Sequence, residues 1–254
     1  MKIIGKKIVK YVLIKVPAVK RWIAERDRLV DYIDDPKFLL LQARRRNGVS
    51  DDLAENPKPW FTKGAIDWLD RLITRDMSIL EYGGGGYSSL WWCSKAGVVY
   101  TVEASIGWWS LLALEFAERP DLLKRWRGIL VPCDWNPDIK SPKPYWRQHR
   151  TLLSDNDIQA MEQAYLYQPG GRIDVVVIDG SVRGRTLQFL PEIIAQSNVE
   201  LVVVDNTESA GILKLAQKMI PKSFRQIDFP ATEVDIIPAG QNGKWMTSVW
   251  KKCK

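Results

Sequence analysis

Carboxylates end three apolar segments of this sequence, and glycines follow the first of them. The first segment ends in Glu81, and four glycines from Gly83 to Gly86 come after it. The second segment ends in Glu103, about 20 residues further on, and the third ends in Asp134. A strand that turns through glycines into a helix brings backbone N–H groups close to a ligand. The acid before the glycines would repel a pyrophosphate, but it suits a ligand that carries an ammonium group.

This order of acids and glycines resembles that of the class I S-adenosylmethionine-dependent methyltransferases. The resemblance implies that the first acid and the glycines hold the methionine part of S-adenosylmethionine, that the second acid holds the ribose, and that the third lies near the adenine. Ser88 opens the helix predicted after the glycines and is included in the same site. The residues expected to bind the cofactor are therefore Glu81, Gly83, Gly85, Ser88, Glu103 and Asp134.

Two further acids follow the fourth and fifth predicted strands. They are Asp179 and Asp205, and Asn206 comes directly after the second. Ligands in open α/β sheets bind beyond the carboxyl ends of the strands, so these residues should face the same crevice as Glu81. The set resembles the metal site of the catechol-type O-methyltransferases. That resemblance implies a divalent ion such as Mg²⁺, held by Asp179, Asp205 and Asn206, which would lower the pKa of a substrate hydroxyl.

The resemblance to the catechol-type enzymes is incomplete after the fourth strand. Those enzymes have a Lys base three residues after the first of these acids, and Val182 stands at that position here. Arg183 follows it and stays protonated, so it cannot act as a base in the same way. It would instead bind a carboxylate or phosphate of the substrate, or stabilise an alkoxide. Metal binding therefore stays open, and so does a simple capping role for Asp205 and Asn206 on the next helix. The expected catalytic residues are Asp179, Arg183 and Asp205.

The order of predicted elements indicates an α/β fold. Strands are predicted near 77–82, 98–103, 128–133, 173–179 and 199–205, with helices near 60–73, 88–96, 106–118, 185–196 and 209–219. Such alternation implies a parallel sheet with right-handed crossovers. Strands near 224–229 and 246–250 are expected to form a closing antiparallel pair. Together these elements predict a doubly wound Rossmann-like sheet of about seven strands.

The chain is expected to have two parts. Residues 1–58 are interpreted as a basic N-terminal helical arm followed by a linker, because residues 34–58 are polar and broken by prolines. Residues 59–254 are interpreted as the Rossmann-like domain. The segment 136–168 interrupts the alternation of elements, and such a long insertion is expected to form a substrate lid.

The net charge of +7 is concentrated in residues 1–28, which hold nine Lys or Arg and two acids. The rest of the chain is neutral, which argues against a nucleic-acid-binding face. The basic amphipathic arm is expected either to lie on an anionic membrane surface or to dock on the domain or on a partner subunit. The three cysteines lack any paired spacing and fit a reducing compartment. These features predict a cytoplasmic protein, with the inner face of a membrane as a second location.

The favoured function is methyl transfer from S-adenosylmethionine to a hydroxyl of a saccharide, a lipid-linked acceptor or another small molecule. A nicotinamide-dependent oxidoreductase is the first alternative, although Ser88 replaces the third glycine of its fingerprint. A non-catalytic cofactor-binding protein of the same fold is the second. The sequence does not indicate an oligomeric state.

Overall fold

Seven strands form one mixed sheet in the computed structural model. It describes residues 40, 41, 43, 44, 51–83, 87–104, 106–131, 169–180, 183–235 and 244–253. The strands are β1 Ser78–Tyr82, β2 Val98–Glu103, β3 Trp126–Leu130, β4 Val175–Ile178, β5 Leu201–Asp205, β6 Phe224–Pro230 and β7 Met246–Lys252. Their spatial order is β3-β2-β1-β4-β5-β7-β6. The first five strands are parallel, and β7 is antiparallel to both of its neighbours.

Helices cover both faces of this sheet. They are α1 Asp51–Glu55, α2 Lys63–Asp70, α3 Ser88–Lys95, α4 Ile106–Ala117, α5 Pro120–Leu123, α6 Arg183–Gln196 and α7 Ala210–Met219. The central strands β1, β4 and β5 are buried along their whole length. Their Val- and Ile-rich sequences therefore have apolar residues on both faces, as a parallel sheet between two helical layers requires. The buried side chains form two apolar clusters, which pack against the helices.

The sheet order places the crevice between β1 and β4. The chain runs outward from β1 through β2 to β3 and then returns to β4 on the other side of β1. At such a reversal, the segments that follow the two central strands leave in opposite directions and open a crevice at the carboxyl ends. The glycine turn that follows β1 and the Asp179 segment that follows β4 therefore border the same opening.

The predicted fold class is confirmed. Each predicted strand and helix of the sheet is present, with ends displaced by one to three residues in most cases. The prediction was wrong about part of the linker, because α1 lies inside it and Ala54 is buried in the core. The basic arm at 1–28 and the insertion at 136–168 lie outside the described residues, so the division at residue 58 stays a prediction. Among the described residues, no helix is both long and apolar enough to cross a bilayer.

A buried carboxylate ties the segment before the domain to the start of α3. The Glu115 side chain is fully buried in α4 and accepts hydrogen bonds from Arg44 at 2.6 and 2.9 Å. Tyr87, which directly precedes α3, and Arg119 also donate to Glu115. Burial alone would raise the pKa of Glu115, but the hydrogen bonds from Arg44, Tyr87 and Arg119 together lower it.

We expect Glu115→Gln to lower the free energy of unfolding by about 2–3 kcal/mol at pH 7, because two arginines lose a buried counter-charge. A native pKa below the ordinary value of 4.5 means that this stabilisation is complete above pH 4.5. It is lost as the pH falls further, so the difference from the parent should shrink below that point. Urea unfolding at several pH values measures both effects. The exposed Glu118→Gln, directly after the end of the same helix, is the control, and an equal loss in both variants would contradict this account.

Candidate active site

Beyond the carboxyl ends of β1 and β4, the backbones of Gly83 and Gly180 are in direct contact. Gly83 has a φ of 80°, and a Cβ atom placed on it would lie 2.0 Å from the Cα of Gly180. The carbonyl of Tyr82 accepts hydrogen bonds from the N–H groups of Asp179 at 3.0 Å and Gly180 at 2.9 Å. On the other side, the Gly83 N–H donates to the carbonyl of Val102 at 2.8 Å. The glycine at position 83 is therefore required by both its conformation and this close approach.

Glu81 was expected to face an ammonium group, but its contacts lie elsewhere. Its side chain is fully buried and is turned toward α3 and β2. Ser89 Oγ donates to one carboxylate oxygen at 2.5 Å, and Trp92 Nε1 donates to the other at 3.0 Å. Thr101 Oγ1 on β2 lies 3.2 Å from Glu81 Oε2. The carboxylate thus fastens α3 to the first two strands.

Burial raises the pKa of Glu81, and the hydrogen bonds from Ser89 and Thr101 oppose that rise. A direct ion pair with a cofactor would require the carboxylate to leave these partners. The structure therefore supports a positioning role, in which Glu81 fixes the helix that begins after the glycine turn. The sequence carries a signal for this role, because Ser89 and Trp92 are three residues apart and lie on one face of a helix.

Of the remaining residues predicted to bind the cofactor, the structure describes Ser88 and Glu103. Glu103 ends β2, is buried, and accepts a hydrogen bond from the N–H of Ala104 at 2.7 Å. Ser88 begins α3, and its buried Oγ has no hydrogen-bond partner among the described residues. Gly85 and Asp134 lie outside the described residues. The structure therefore brings Gly83, Ser88 and Glu103 to one end of neighbouring elements.

Arg183 joins the residues that follow β4 and β5. It is the first residue of α6, and its Nη2 donates to Asp179 Oδ1 at 3.1 Å and to Asn206 Oδ1 at 2.5 Å. Asn206 has a φ of 59°, a left-handed conformation that asparagine adopts more readily than most residues. Its Nδ2 donates to Glu208 at 3.2 Å, which fixes the amide with its oxygen toward the guanidinium.

Asp205 is held by a different set of donors. The Thr247 hydroxyl donates to Oδ1 at 2.7 Å, and Trp245 Nε1 lies 3.1 and 3.4 Å from the two carboxylate oxygens. Both partners lie at or just before β7, the antiparallel neighbour of β5. Asp205 is only 3% exposed. Because Thr247 and Trp245 donate to it, the Asp205 carboxylate is already hydrogen-bonded on both oxygens.

Asp179, which is half-buried, and Asp205, which is buried, are close enough for their charges to affect one another. Burial, followed by the nearby charge of Asp205, raises the pKa of Asp179 well above its usual range, and Arg183 opposes the rise. Burial raises the pKa of Asp205 to about 6, against the effect of the hydrogen bond from Thr247. The pair is therefore less strongly charged near neutrality than two exposed aspartates would be.

The described residues do not fit the metal site expected from the sequence. A divalent ion needs oxygen ligands that are free to turn toward it. Here Asp179 Oδ1 and Asn206 Oδ1 accept from Arg183, and Asp205 accepts from Trp245 and Thr247. Within the described ranges, no group of three His, Cys, Asp or Glu side chains is arranged to hold a metal ion. These hydrogen bonds do not favour the predicted role of Asp179, Asp205 and Asn206 as metal ligands, and that role stays a prediction.

Comparison with known proteins supports the fold. No protein-family model matches the chain, and no curated protein matches it. The structure of a candidate O-methyltransferase from Klebsiella pneumoniae is similar with a TM-score of 0.51 and 15% identity, over 93% of this chain and 97% of that one. An O-methyltransferase from Bacillus cereus, solved in complex with SAH, has a TM-score of 0.49 and 16% identity, over 92% and 97%.

The first of these similarities is strong enough to assign the fold. The chain therefore has the fold of the class I methyltransferases, and the resemblance read from the sequence is confirmed at that level.

We expect Gly83→Ala to lower the free energy of unfolding by about 3 kcal/mol or more. An alanine at this position would have to keep the left-handed backbone conformation of Gly83, and its methyl group would overlap the backbone of Gly180. Gly211→Ala is the matched control, because that glycine lies in α7 with open space around it and alanine should be neutral or stabilising by about 0.5 kcal/mol. Urea unfolding of both variants gives the comparison. Parent-like stability of Gly83→Ala would show that the close contact is not required.

Proposed function

We propose that this protein is an S-adenosylmethionine-dependent methyltransferase that acts on a hydroxyl oxygen. The observation that carries the proposal is the meeting of the β1 glycine turn, the β2 carboxylate and the β4–β5 acids at the crevice where the strand order reverses. Open α/β sheets bind their ligands at this position. The similarity to a structure described as a candidate O-methyltransferase is consistent with the proposal.

The chain offers a cofactor site in three parts. The backbone at Gly83 and Gly85 would pass close to the methionine end, and the Ser88 hydroxyl, buried at the start of α3, lies next to that turn. Glu103 would accept hydrogen bonds from the ribose hydroxyls, since Ala104 already orients its carboxylate at the end of β2. Asp134 would lie near the adenine. When bound, S-adenosylmethionine supplies an electrophilic methyl group.

Acceptor contacts would come from the residues that follow β4 and β5. Asp179 lies next to Gly83, and Arg183 is 23% exposed, so a molecule in the crevice can reach its guanidinium. Glu81 positions α3 and makes no contact with the acceptor in this arrangement. The acceptor classes that remain in the proposal are small molecules, saccharides and lipid-linked compounds. A cytoplasmic location, with residues 1–28 on an anionic membrane surface, is part of the same proposal.

We expect Glu103→Gln to weaken S-adenosylhomocysteine binding by about tenfold or more, because charge-assisted hydrogen bonds to the ribose are lost. Glutamine keeps an oxygen for the Ala104 N–H, so the fold should be preserved. Glu200→Gln, at the opposite end of the sheet and exposed, is the control and should bind like the parent. Isothermal titration calorimetry measures these affinities.

The same calorimetry with NAD distinguishes the proposed function from an oxidoreductase. The parent should bind S-adenosylhomocysteine and release no heat with NAD. Tight NAD binding together with no response to S-adenosylhomocysteine, from protein that melts cooperatively, would overturn the proposed function.

A further inference from the structure

The position predicted for a divalent ion is taken by a side chain of this protein. Arg183 Nη2 lies within hydrogen-bond distance of the Asp179 and Asn206 oxygens that were expected to bind the ion. These two residues follow neighbouring strands, and the guanidinium bridges them as a cation would. A divalent ion placed there would lose both oxygens to Arg183 and would be repelled by its charge.

The neighbouring residues hold this arrangement in place. The Asn206 amide is fixed by its hydrogen bond to Glu208, which in turn accepts from the N–H of Met246 at 3.1 Å. Asp205 is fixed by Trp245 and Thr247 on the other side. Rotation of these oxygens toward a metal would break hydrogen bonds of buried groups, which costs about 1–3 kcal/mol for each group left without a partner.

Arg183 also has donors to offer a ligand. Its Nη2 makes both hydrogen bonds, and its buried Nε has no partner among the described residues. Nη1 donates to none of them either. Both bidentate edges of a guanidinium include Nη2, which is already engaged, and Nε is buried, so a ligand oxygen anion would bind at the N–H groups of Nη1.

We propose that the Arg183 guanidinium is the cation of the acceptor site, that it binds the oxygen of an acceptor hydroxyl in its ionised form, such as a phenolate, and that methyl transfer needs no divalent metal. This inference rests on the proposed function and names its acceptor class. The acceptor oxygen forms the new C–O bond as the S–CH₃ bond breaks, and the electron pair of that bond stays on sulfur. An acceptor that enters as an anion has no proton to lose, so the arginine is not required to act as a base.

The first test uses Mn²⁺ alone as the probe. In electron paramagnetic resonance titrations the parent should bind Mn²⁺ only weakly, and Arg183→Met should bind it about tenfold more tightly, because a positive charge is removed and two oxygens are released. Micromolar binding of Mn²⁺ by the parent, or no gain in Arg183→Met, would overturn the assignment. Arg183→Lys keeps the positive charge and should bind Mn²⁺ as weakly as the parent. It is the variant to compare with the parent if Arg183→Met fails to fold.

The second test uses benzoate against its neutral analogue benzamide. Benzoate should raise the thermal midpoint of the parent more than benzamide does, and this preference should disappear in Arg183→Met and weaken in Arg183→Lys. Arg185→Met, two residues further along α6, is the matched control and should keep the preference. A parent that does not distinguish the two compounds, or an Arg183→Met variant that still does, would contradict the proposed acceptor class.

Binding of S-adenosylhomocysteine separates this inference from the proposed function. The parent and the Arg183 variants should bind it with affinities within about threefold of each other, since Arg183 lies on the acceptor side. A parent without such binding would end the proposed function, whereas the Mn²⁺ and benzoate experiments would still decide what Arg183 does. Methylation of an acceptor by the parent should also persist in the presence of a chelator, and loss of turnover under those conditions would count against the metal-free reaction.

Discussion

The burial of carboxylates is the constraint on which the rest of this structure depends, because each one needs donors that replace water. Glu81 takes its donors from α3 and β2, Asp205 from β7, and Asp179 from Arg183. Glu115 takes its donors from Arg44, Tyr87 and Arg119. Glu81, Asp205 and Glu115 therefore join separate elements of the chain, whereas Asp179 is paired with an arginine four residues further on.

The chemistry of the donors separates structural acids from those that can meet a ligand. Glu81 and Asp205 accept hydrogen bonds from neutral hydroxyl and indole donors. Asp179 is paired with Arg183, whose side chain reaches the solvent. A neutral donor satisfies a buried acid without changing the charge of the crevice, whereas a guanidinium adds a positive charge that a substrate can use. In the proposed site, Glu81 and Asp205 therefore hold the surrounding elements in place, and Arg183 supplies the charge that a substrate would meet.

The sequence predicted the sheet well because its signals are local. Apolar runs such as Val175–Ile178 mark strands, and the glycines after Glu81 mark the turn into α3. The directions of side chains were harder to predict because they depend on pairing between strands. Asp205 meets Thr247 only because β7 is antiparallel to β5 in one particular register. The prediction of a linker was wrong at Ala54 for a similar reason. The burial of Ala54 depends on residues that are distant in the sequence, and the local pattern does not indicate it.

A fixed guanidinium and an exchangeable metal ion impose different demands on an acceptor. A metal ion can lower the pKa of a bound hydroxyl and so generate its own nucleophile, whereas an arginine stabilises an oxygen anion but cannot remove the proton. An active site that relies on Arg183 must therefore receive an acceptor that is already ionised or that ionises easily. Nη2 is engaged by the Asn206 and Asp179 oxygens and Nε is buried, so in the proposed site the acceptor oxygen meets Nη1. In that proposal, the contacts that compete with a metal ion also restrict the charge of the acceptor and the nitrogen that it can reach.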